Sequence, residues 1–410
     1  MSRFGPLFAP AAVLAVALAM TGCSVVVPEP VAPSPSPTYA PTGDGVLRIG
    51  TLLPSSAAAQ VAGVEVAVRE INEAGGYNGA PVEVFHRTSG DPASDTAEAS
   101  FAALVTLGVD VVIGPSSPEL AERLLEPAVA AGIPLISPSA LGLDSLEDSG
   151  LVFGTAIGRA AQAAALTASI SEAGASSVAY LGTDDEVGAD LLAGLTASLE
   201  GDGGELALEA TVDAATTDFS SVVSKTKKAK PDAVVVSTAT SEQAVGLLSA
   251  LSEAGFEGSS IWLASRSVTD YSASLPAGAL EGATGIVVGV QPDEAFALRI
   301  RQADPVVAYY SYAAEAYDAT IMAALAASIS GDDGGPAISR HLRSISTGGI
   351  QCASFGECAS VLATEPDIDY QGRSGPVDLA GSGDPARGSF RIIAFAADNT
   401  YTVDRVVTAG

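Results

Sequence analysis

Apolar residues alternate along this chain between short continuous runs and longer segments with helical spacing. Continuous apolar runs flanked by Gly, Pro or polar residues predict buried strands, whereas apolar residues three or four positions apart predict helices. In the first third of the chain the predicted strands are 47–53, 82–85, 109–113 and 134–136, and the predicted helices pass through 64–71, 94–107 and 118–131. Strands that alternate with helices indicate βαβ units and a parallel sheet.

The same alternation starts again after Gly158. The second set has predicted strands at 177–181, 206–212, 233–237 and 261–263, and predicted helices at 159–173, 187–199, 218–230 and 241–254. A further strand, 285–290, is followed by an alanine-rich helix over 308–330 and then by the segment 336–346. We therefore predict an α/β fold with two doubly wound, Rossmann-like lobes.

The N-terminus has the features of an export signal. Arg3 gives it a positive charge, and the apolar segment 10–20 is too short to span a bilayer. The sequence LAMTGC at 18–23 resembles the bacterial lipobox, which implies loss of residues 1–22 and acylation of Cys23. An ordinary secretory signal with a chance cysteine is the alternative. We expect Cys23 to anchor the mature protein to the outer face of the cell membrane, which it does not cross.

Residues 23–45 are rich in Pro, Ser, Ala and Val. A Pro-rich chain extends by about 3.1 Å per residue, and this composition buries too little side-chain surface to offset the entropy of ordering. We therefore predict that 23–45 is a tether, and that the folded lobes begin at residue 46.

Charge disfavours one class of partner. The 410 residues include 19 Lys and Arg against 48 Asp and Glu, which gives a net charge of −29. We expect no nucleic-acid partner, because phosphate neutralisation requires clustered basic residues. All the lysines fall within 225–230. They form either a basic docking patch or, as we prefer, the end of a helix, where cations complement the helix dipole.

Cys352 and Cys358 are the two cysteines that remain besides the predicted lipidation residue. An even pair in an exported protein predicts a disulfide. Metal binding is the alternative, but a zinc site needs further ligands and the only histidines are His86 and His341. We therefore predict no metal and no cofactor.

Several short segments carry a family resemblance. They are 49–54 (IGTLLP), 71–76 (INEAGG), 114–117 (GPSS), 132–140 (GIPLISPSA), 217–220 (TDFS), 231–235 (PDAVV), 316–319 (AYDA) and 369–376 (DYQGRSGP). In this order they resemble the type I periplasmic-binding-protein fold, and specifically the branched-chain amino acid (leucine/isoleucine/valine-type) solute-binding proteins of ABC importers. The resemblance implies two lobes that close like a Venus flytrap on a small solute bound in the cleft between them.

The resemblance also implies three chain crossings between the lobes. We place them near Gly158, Ala283 and Ser374. Lobe 1 is then predicted to contain 46–157 plus 284–373, and lobe 2 to contain 158–283 plus 374–410.

Serines follow two predicted strands of lobe 1, at the edge where doubly wound sheets bind ligands. Ser116 and Ser117 precede a predicted helix, so their hydroxyls and the helix N–H groups are candidates to hold a carboxylate. Ser117 alternatively only caps that helix. Ser137 and Ser139 follow the next strand, where the resemblance implies contacts with the solute's carboxylate and ammonium groups; a plain turn around the intervening proline is the alternative.

Lobe 2 offers charged candidates. Asp184 and Asp185 follow a predicted strand, and Val187 stands where members of the resembled family commonly have an aromatic residue. Arg266 lies near the position where that family usually places a carboxylate for the solute's ammonium group. Either Arg266 binds a second anionic group of the solute, or Asp184, Asp185 or Asp270 contacts the ammonium group, or Arg266 is a solvated loop residue.

The sequence favours a binding protein over an enzyme, because no nucleophile, base and orienting residue form a recognisable set. We expect an extracytoplasmic solute-binding lipoprotein of an ABC importer that captures a small polar solute, an amino acid or a related amide or acid, and delivers it to the permease subunits. One alternative is a lipoprotein of the same fold that reports the solute to a signalling partner. Another is a surface protein with a degenerate cleft.

Overall fold

The computed structural model describes residues 42–143, 150–307 and 309–410. The predicted signal peptide 1–22, Cys23 and the tether up to residue 41 therefore lie outside the described residues. Within those ranges the chain forms a five-stranded, a seven-stranded and a two-stranded sheet. No helix in this part of the chain is long and apolar enough to cross a membrane.

The first sheet contains five parallel strands. They are β1 (Arg48–Leu53), β2 (Glu83–Thr88), β3 (Val111–Ile113), β4 (Leu135–Ser137) and β5 (Val152–Gly154), and the helices between them are α1 (Ala58–Glu73), α2 (Thr96–Thr106) and α3 (Pro118–Ala131). The strand order is β2-β1-β3-β4-β5. The central strands are almost wholly buried and apolar, as expected where helices cover both faces of a parallel sheet.

The second sheet continues the same alternation. Its elements, in chain order, are α4 (Arg159–Glu172), β6 (Ser177–Thr183), α5 (Glu186–Asp202), β7 (Glu205–Val212), α6 (Ser220–Ala229), β8 (Ala233–Ser237), α7 (Ser241–Glu253), β9 (Ile261–Leu263) and β10 (Thr284–Val288). The neighbouring strands of this set pair in parallel. Lys227 and Lys228 lie in the last turn of α6, which confirms the helix-end interpretation of the lysines.

After β10 the chain returns to the first sheet. It forms α8 (Glu294–Ala303), α9 (Ala313–Ser330), α10 (Gly335–His341), β11 (Ile350–Cys352), α11 (Phe355–Leu362) and β12 (Ile368–Tyr370). The buried helix α9 packs on α1 so closely that any side chain at Gly63 would collide with the Ala313 carbonyl. It begins five residues later than the predicted helix, because Tyr312 has a left-handed backbone conformation with φ 58°. Cys352 and Cys358 form the predicted disulfide.

The chain ends in an antiparallel hairpin that the sequence analysis did not predict. It consists of β13 (Gly388–Phe395) and β14 (Tyr401–Ala409), and β13 also pairs antiparallel with β10. The order of the second sheet is therefore β14-β13-β10-β9-β8-β6-β7. The two helix-covered sheets, otherwise parallel, confirm the predicted α/β, doubly wound fold.

The second crossing lies farther along the chain than predicted. Strand β10 pairs with β9 and β13, so it belongs to the second lobe rather than the first. The chain leaves that sheet after Val288, and the prediction of a crossing near Ala283 is wrong. The first crossing lies between β5 and α4, next to the predicted position at Gly158.

The third crossing is also later than predicted. Beyond Ser374 the chain still contacts the first lobe, because the Leu143 N–H donates to the Asp384 carboxylate at 2.8 Å and the Gly154 N–H donates to the Gly383 carbonyl at 2.9 Å. The second sheet is re-entered only at the start of β13. Residues 374–387 are therefore not part of the second lobe, as the predicted boundary had them.

The predicted tether, 23–45, extends too far along the chain. The N–H groups of Thr42 and Gly43 donate to the Asp332 carboxylate at 3.2 and 2.8 Å, and the Gly45 N–H donates to Asp333 at 3.0 Å. Both aspartates lie between α9 and α10. Residues 42–45 are therefore attached to the first lobe, since its carboxylates satisfy their backbone donors.

Candidate functional site

Ser116 and Ser117 lie in the turn between the carboxyl end of β3 and the start of α3. The Ser117 hydroxyl accepts a hydrogen bond from the Leu120 N–H at 3.3 Å, which makes it the N-cap of α3. The Ser116 hydroxyl donates to the Gln60 side-chain oxygen on α1 at 3.0 Å. Both serines keep partial exposure. The capping interpretation of Ser117 is confirmed, and a contact of either serine with a ligand stays a prediction.

Ser137 and Ser139 have different roles in the turn after β4. The hydroxyl of the fully buried Ser137 lies 2.7 Å from the Pro115 carbonyl oxygen and accepts from the Ser139 N–H at 3.1 Å. Ser137 therefore holds the turn in place. Ser139 is only 7% exposed, and its hydroxyl forms no hydrogen bond with any described residue. Of the two, only Ser139 has its hydroxyl available to a ligand.

Arg266 and Asp185 form an ion pair within lobe 2. One guanidinium nitrogen of Arg266 donates to both carboxylate oxygens of Asp185, at 2.8 and 2.9 Å. The remaining nitrogens donate to the hydroxyl and the carbonyl of Ser237, at 3.0 and 2.8 Å. Asp185 also caps α5 by accepting from the Gly188 N–H at 2.7 Å. Arg266 is thus not a solvated loop residue, because its donors are engaged within the lobe.

The structure does not bring the other lobe 2 candidates into that cluster. Asp184 is exposed beside the ion pair. Asp270 is exposed and accepts from the Ser272 N–H at 2.8 Å, an arrangement that serves its own turn. Val187 lies in the first turn of α5 and is partly exposed, so no aromatic side chain covers the cleft at that position.

The first turns of α3 and α5 each carry an acidic residue. Glu119 lies in the first turn of α3 and Glu186 in the first turn of α5. Desolvation, followed by the nearby Glu119 carboxyl, raises the pKa of Glu186 above its ordinary value. Carboxyls that affect each other in this way are close, so the starts of α3 and α5, which belong to different lobes, approach each other at this point.

Glu315 is a buried carboxyl that the sequence analysis missed. It lies in the first turn of α9, where its residue is 5% exposed, and burial raises its pKa to about 8. A side chain at Gly289, just after β10, would place its Cβ only 2.7 Å from the Glu315 carboxylate. The signal in the sequence is the presence of two acidic residues, Glu315 and Asp318, within the mostly apolar segment 313–327, whose residues are all buried.

Asp318, one turn later on α9, holds the backbone at the start of the third crossing in place. Its carboxylate accepts hydrogen bonds from the Tyr370 hydroxyl, the Arg373 N–H, and the N–H and hydroxyl of Ser374, at 2.6 to 2.9 Å. Burial raises the pKa of Asp318, whereas these donors oppose that shift by stabilising its charged form. The carboxylate of the AYDA segment therefore has a structural role at the hinge.

Comparison with known proteins places the chain in a family. A family model described as periplasmic binding protein matches residues 48–357. The chain belongs to this family. A relative of this periplasmic binding protein is a substrate-binding protein, BasB, of a chemotactic signal transduction system in Halobacterium salinarum. It is 28% identical over 381 residues, which cover 83% of this chain and 85% of the relative.

Solved structures share the fold of this periplasmic binding protein. The LivJ substrate-binding protein of Streptococcus pneumoniae, in complex with isoleucine, is similar with a TM-score of 0.65 and 21% identity, and the match covers 89% of this chain and 99% of that one. A solute-binding protein from R. palustris in complex with benzoate has a TM-score of 0.62 and 19% identity, covering 88% and 96%. The family and these neighbours are solute-binding proteins rather than enzymes.

Proposed function

We propose that this protein captures a small, amino-acid-like solute in the cleft between its lobes and delivers it to an ABC permease. The observation that carries the proposal is Ser139, a buried residue at the carboxyl edge of the first sheet whose hydroxyl has no hydrogen-bond partner among the described residues. This hydroxyl is therefore available for a hydrogen bond with a polar ligand. The N-termini of α3 and α5 add unpaired N–H groups on the two sides of the cleft.

Thermal denaturation of residues 42–410 in the presence of single amino acids, amides, dicarboxylates and benzoate tests the proposal. A ligand at about one hundred times its Kd adds about 2.7 kcal/mol to the free energy of unfolding, which raises the Tm by several degrees. For a ligand that does so, Ser139→Ala is expected to reduce the binding free energy by about 1 kcal/mol.

Ser360→Ala is the matched control, because Ser360 is exposed on α11 and its hydroxyl bonds only within that helix, to the Gly356 carbonyl. Equal affinities of the Ser139→Ala and Ser360→Ala variants would argue against the assigned cleft. A cooperative unfolding transition that no compound shifts would favour the degenerate-cleft alternative.

The proposal includes lipid anchoring through Cys23. Cys23→Ser is expected to release the protein from the membrane fraction of cells, because the variant has no thiol to acylate. Immunoblots of membrane and soluble fractions measure the change. Retention of the variant in the membrane fraction would count against a lipid anchor at this residue.

A role in signalling is the second candidate, and the relative from a chemotactic system favours it. The two roles separate in a strain that lacks the gene. Loss of uptake of the radiolabelled solute indicates transport. Normal uptake with a lost chemotactic or transcriptional response to the same solute indicates sensing.

A further inference from the structure

Glu315 occupies an unusual position for an acidic side chain. It is 95% buried, and no hydrogen bond from any other described residue reaches its carboxylate. Burial of a carboxylate without a partner is strongly unfavourable, so the group either holds a proton or meets a positive charge. The neighbouring carboxylate of Asp318 differs in this respect, because several donors surround it.

A small cavity lies where the three crossings meet, and Glu315 is part of its wall. Six of its lining residues are Thr155, Ile157, Gly289, Glu315, Ser374 and Ser389. The first two come from the first crossing, Gly289 from the second, and the serines from the two ends of the third. Its free space accommodates a group of about the size of one water molecule, which is also the size of an ammonium group.

Thr155, which lines the cavity, also contacts the turn that contains Ser139. The N–H of Thr155 donates to the Ser137 carbonyl at 2.9 Å, at the base of the turn that contains Ser139. The Thr155 hydroxyl donates to the Glu315 carbonyl at 2.8 Å. One residue therefore contacts both the serine turn and the helix start that carries the buried carboxyl.

No cation among the described residues forms a salt bridge with Glu315, and the positive charge of Arg391 lowers its pKa by less than burial raises it. Arg391 faces it from β13, but the guanidinium donates to the Gly289 carbonyl at 3.2 Å and to the Gln291 side chain at 2.7 Å. Asp318 adds a like charge from the same helix. Tyr312, which precedes the helix, has its own pKa raised to about 12 by burial and then by Glu315. In lobe 2, Arg266 is already paired with Asp185.

We propose that Glu315 binds the ammonium group of the solute, so that the protein selects solutes with a protonated amine. The inference rests on the proposed function and names its substrate class. An ammonium group brings three N–H donors, which match the Glu315 carboxylate and the hydroxyls that line the cavity. The solute's carboxylate then lies toward Ser139 and the N-terminus of α3.

Binding by this route releases a proton. Burial raises the pKa of Glu315 to about 8, so at neutral pH the carboxyl of the free protein holds its proton. When R–NH3⁺ enters, the Glu315 O–H bond breaks, the carboxylate pairs with the ammonium group, and the proton passes to the buffer. Atoms and charge balance, and no co-reactant is needed.

The experiment compares each amino acid with the acid that lacks its amine, for example leucine with 4-methylpentanoate, by calorimetry on wild type and Glu315→Gln. We expect wild type to prefer the amine-bearing partner by about ten-fold or more, as for a buried charge-assisted contact. The Glu315→Gln variant should lose that preference and bind the deaminated acid as wild type does. Titrations in buffers of different ionisation enthalpy should show proton release by wild type and none by the variant.

Glu200→Gln is the matched control, because Glu200 is exposed near the end of α5. Unchanged amine selectivity in Glu315→Gln would overturn the inference while leaving the proposed function intact. So would stabilisation of wild type by ammonium chloride alone to the same degree as by the amino acid, because the cavity would then take a free cation. Wild type that binds neither class refutes the proposed function, and the inference with it. If Glu315→Gln does not fold, proton release by wild type decides: its absence overturns the inference.

Discussion

Asp185 and Arg266 show how one contact changes the interpretation of a residue. In the sequence, Arg266 stood where the resembled family has a carboxylate, and it suggested an anionic group on the solute. The structure pairs it with Asp185, and the two side chains are 33% and 19% exposed. The pair contributes no net charge to lobe 2. The reversed charge at position 266 is therefore matched by a local partner.

This pair predicts a coupling energy. Because both side chains keep contact with water, we expect a coupling of about 1 kcal/mol, at the upper end for exposed pairs. Asp185→Asn, Arg266→Met and the double variant, compared by urea denaturation, give this value as the departure from additivity. Asp185→Asn keeps an oxygen for the cap of α5, so the cycle separates the ion pair from the cap. Strict additivity would mean that the pair contributes nothing.

Glu315 predicts how stability depends on pH. Its pKa is about 8 in the folded protein against an ordinary value of 4.5, so the folded state binds the proton more tightly. The stability that this proton confers is complete below the lower value and is lost as pH rises through the higher one. In urea denaturation without ligand, Glu315→Gln should therefore lose less stability than wild type between about pH 5.5 and about pH 8.5.

The pH dependence of wild-type stability alone does not isolate Glu315, because Asp110 contributes to it as well. Burial raises the pKa of Asp110 to about 7, so this group lowers wild-type stability with rising pH in the same direction. This contribution is common to wild type and Glu315→Gln and cancels in the difference. Parallel stability profiles of the two proteins would show that Glu315 is not protonated in the folded state.

The serines were within reach of sequence reasoning, and Glu315 was not. A serine after a predicted strand lies at the ligand-binding edge by topology alone. The position of Glu315 depends on how α9 meets Gly289 and Thr155, which are distant in sequence. Acidic residues within the mostly apolar segment 313–327 suggest burial, but the sequence pattern does not encode the tertiary contacts that place Glu315 beside Gly289 and Thr155.

At the scale of elements, the disulfide is a prediction from the sequence that the structure confirms directly. Cys352 ends β11 and Cys358 lies in α11, six positions later, and both are buried. Because the closed loop is small, the chain-entropy estimate of its stabilisation is about 2 kcal/mol. We expect Cys352→Ser with Cys358→Ser to lower the free energy of unfolding by that amount in urea denaturation. Solute affinity should not change, and a change would mean that the bridge positions the cleft.

Elements were predictable where the apolar pattern was strong. Strands of the parallel core are continuous apolar runs, because both of their faces are covered. The hairpin strand β14 is mostly exposed and gives no such run. Helix α8 was not predicted, although it begins at a residue type typical of helix starts: Asp293 caps it by accepting from the Phe296 N–H at 2.7 Å.

At the scale of the whole molecule, the sequence predicted two lobes but misplaced two of the three crossings. Strand β10 has the composition of any buried strand, and only its pairing with β9 and β13 assigns it to the second sheet. The turn around Asp384 similarly stays with the first lobe through contacts to residues more than two hundred positions away. Such long-range pairings decide lobe boundaries, and local pattern does not encode them.

Acidic residues on the two lobes predict how a change of charge alters the affinity for the solute. Glu119 and Glu186 approach each other from different lobes, so bringing the lobes together costs electrostatic free energy. Glu119→Gln removes one of the two charges and should favour the closed arrangement. A solute that binds the closed form binds more tightly when that form is stabilised. The affinity of the protein for the solute at fixed pH should therefore rise, by about two- to five-fold for an exposed pair. Calorimetric titration measures the change, with Glu122→Gln on the exposed face of α3 as the control. Equal affinities of the two variants would mean that the opposed carboxyls do not resist closure.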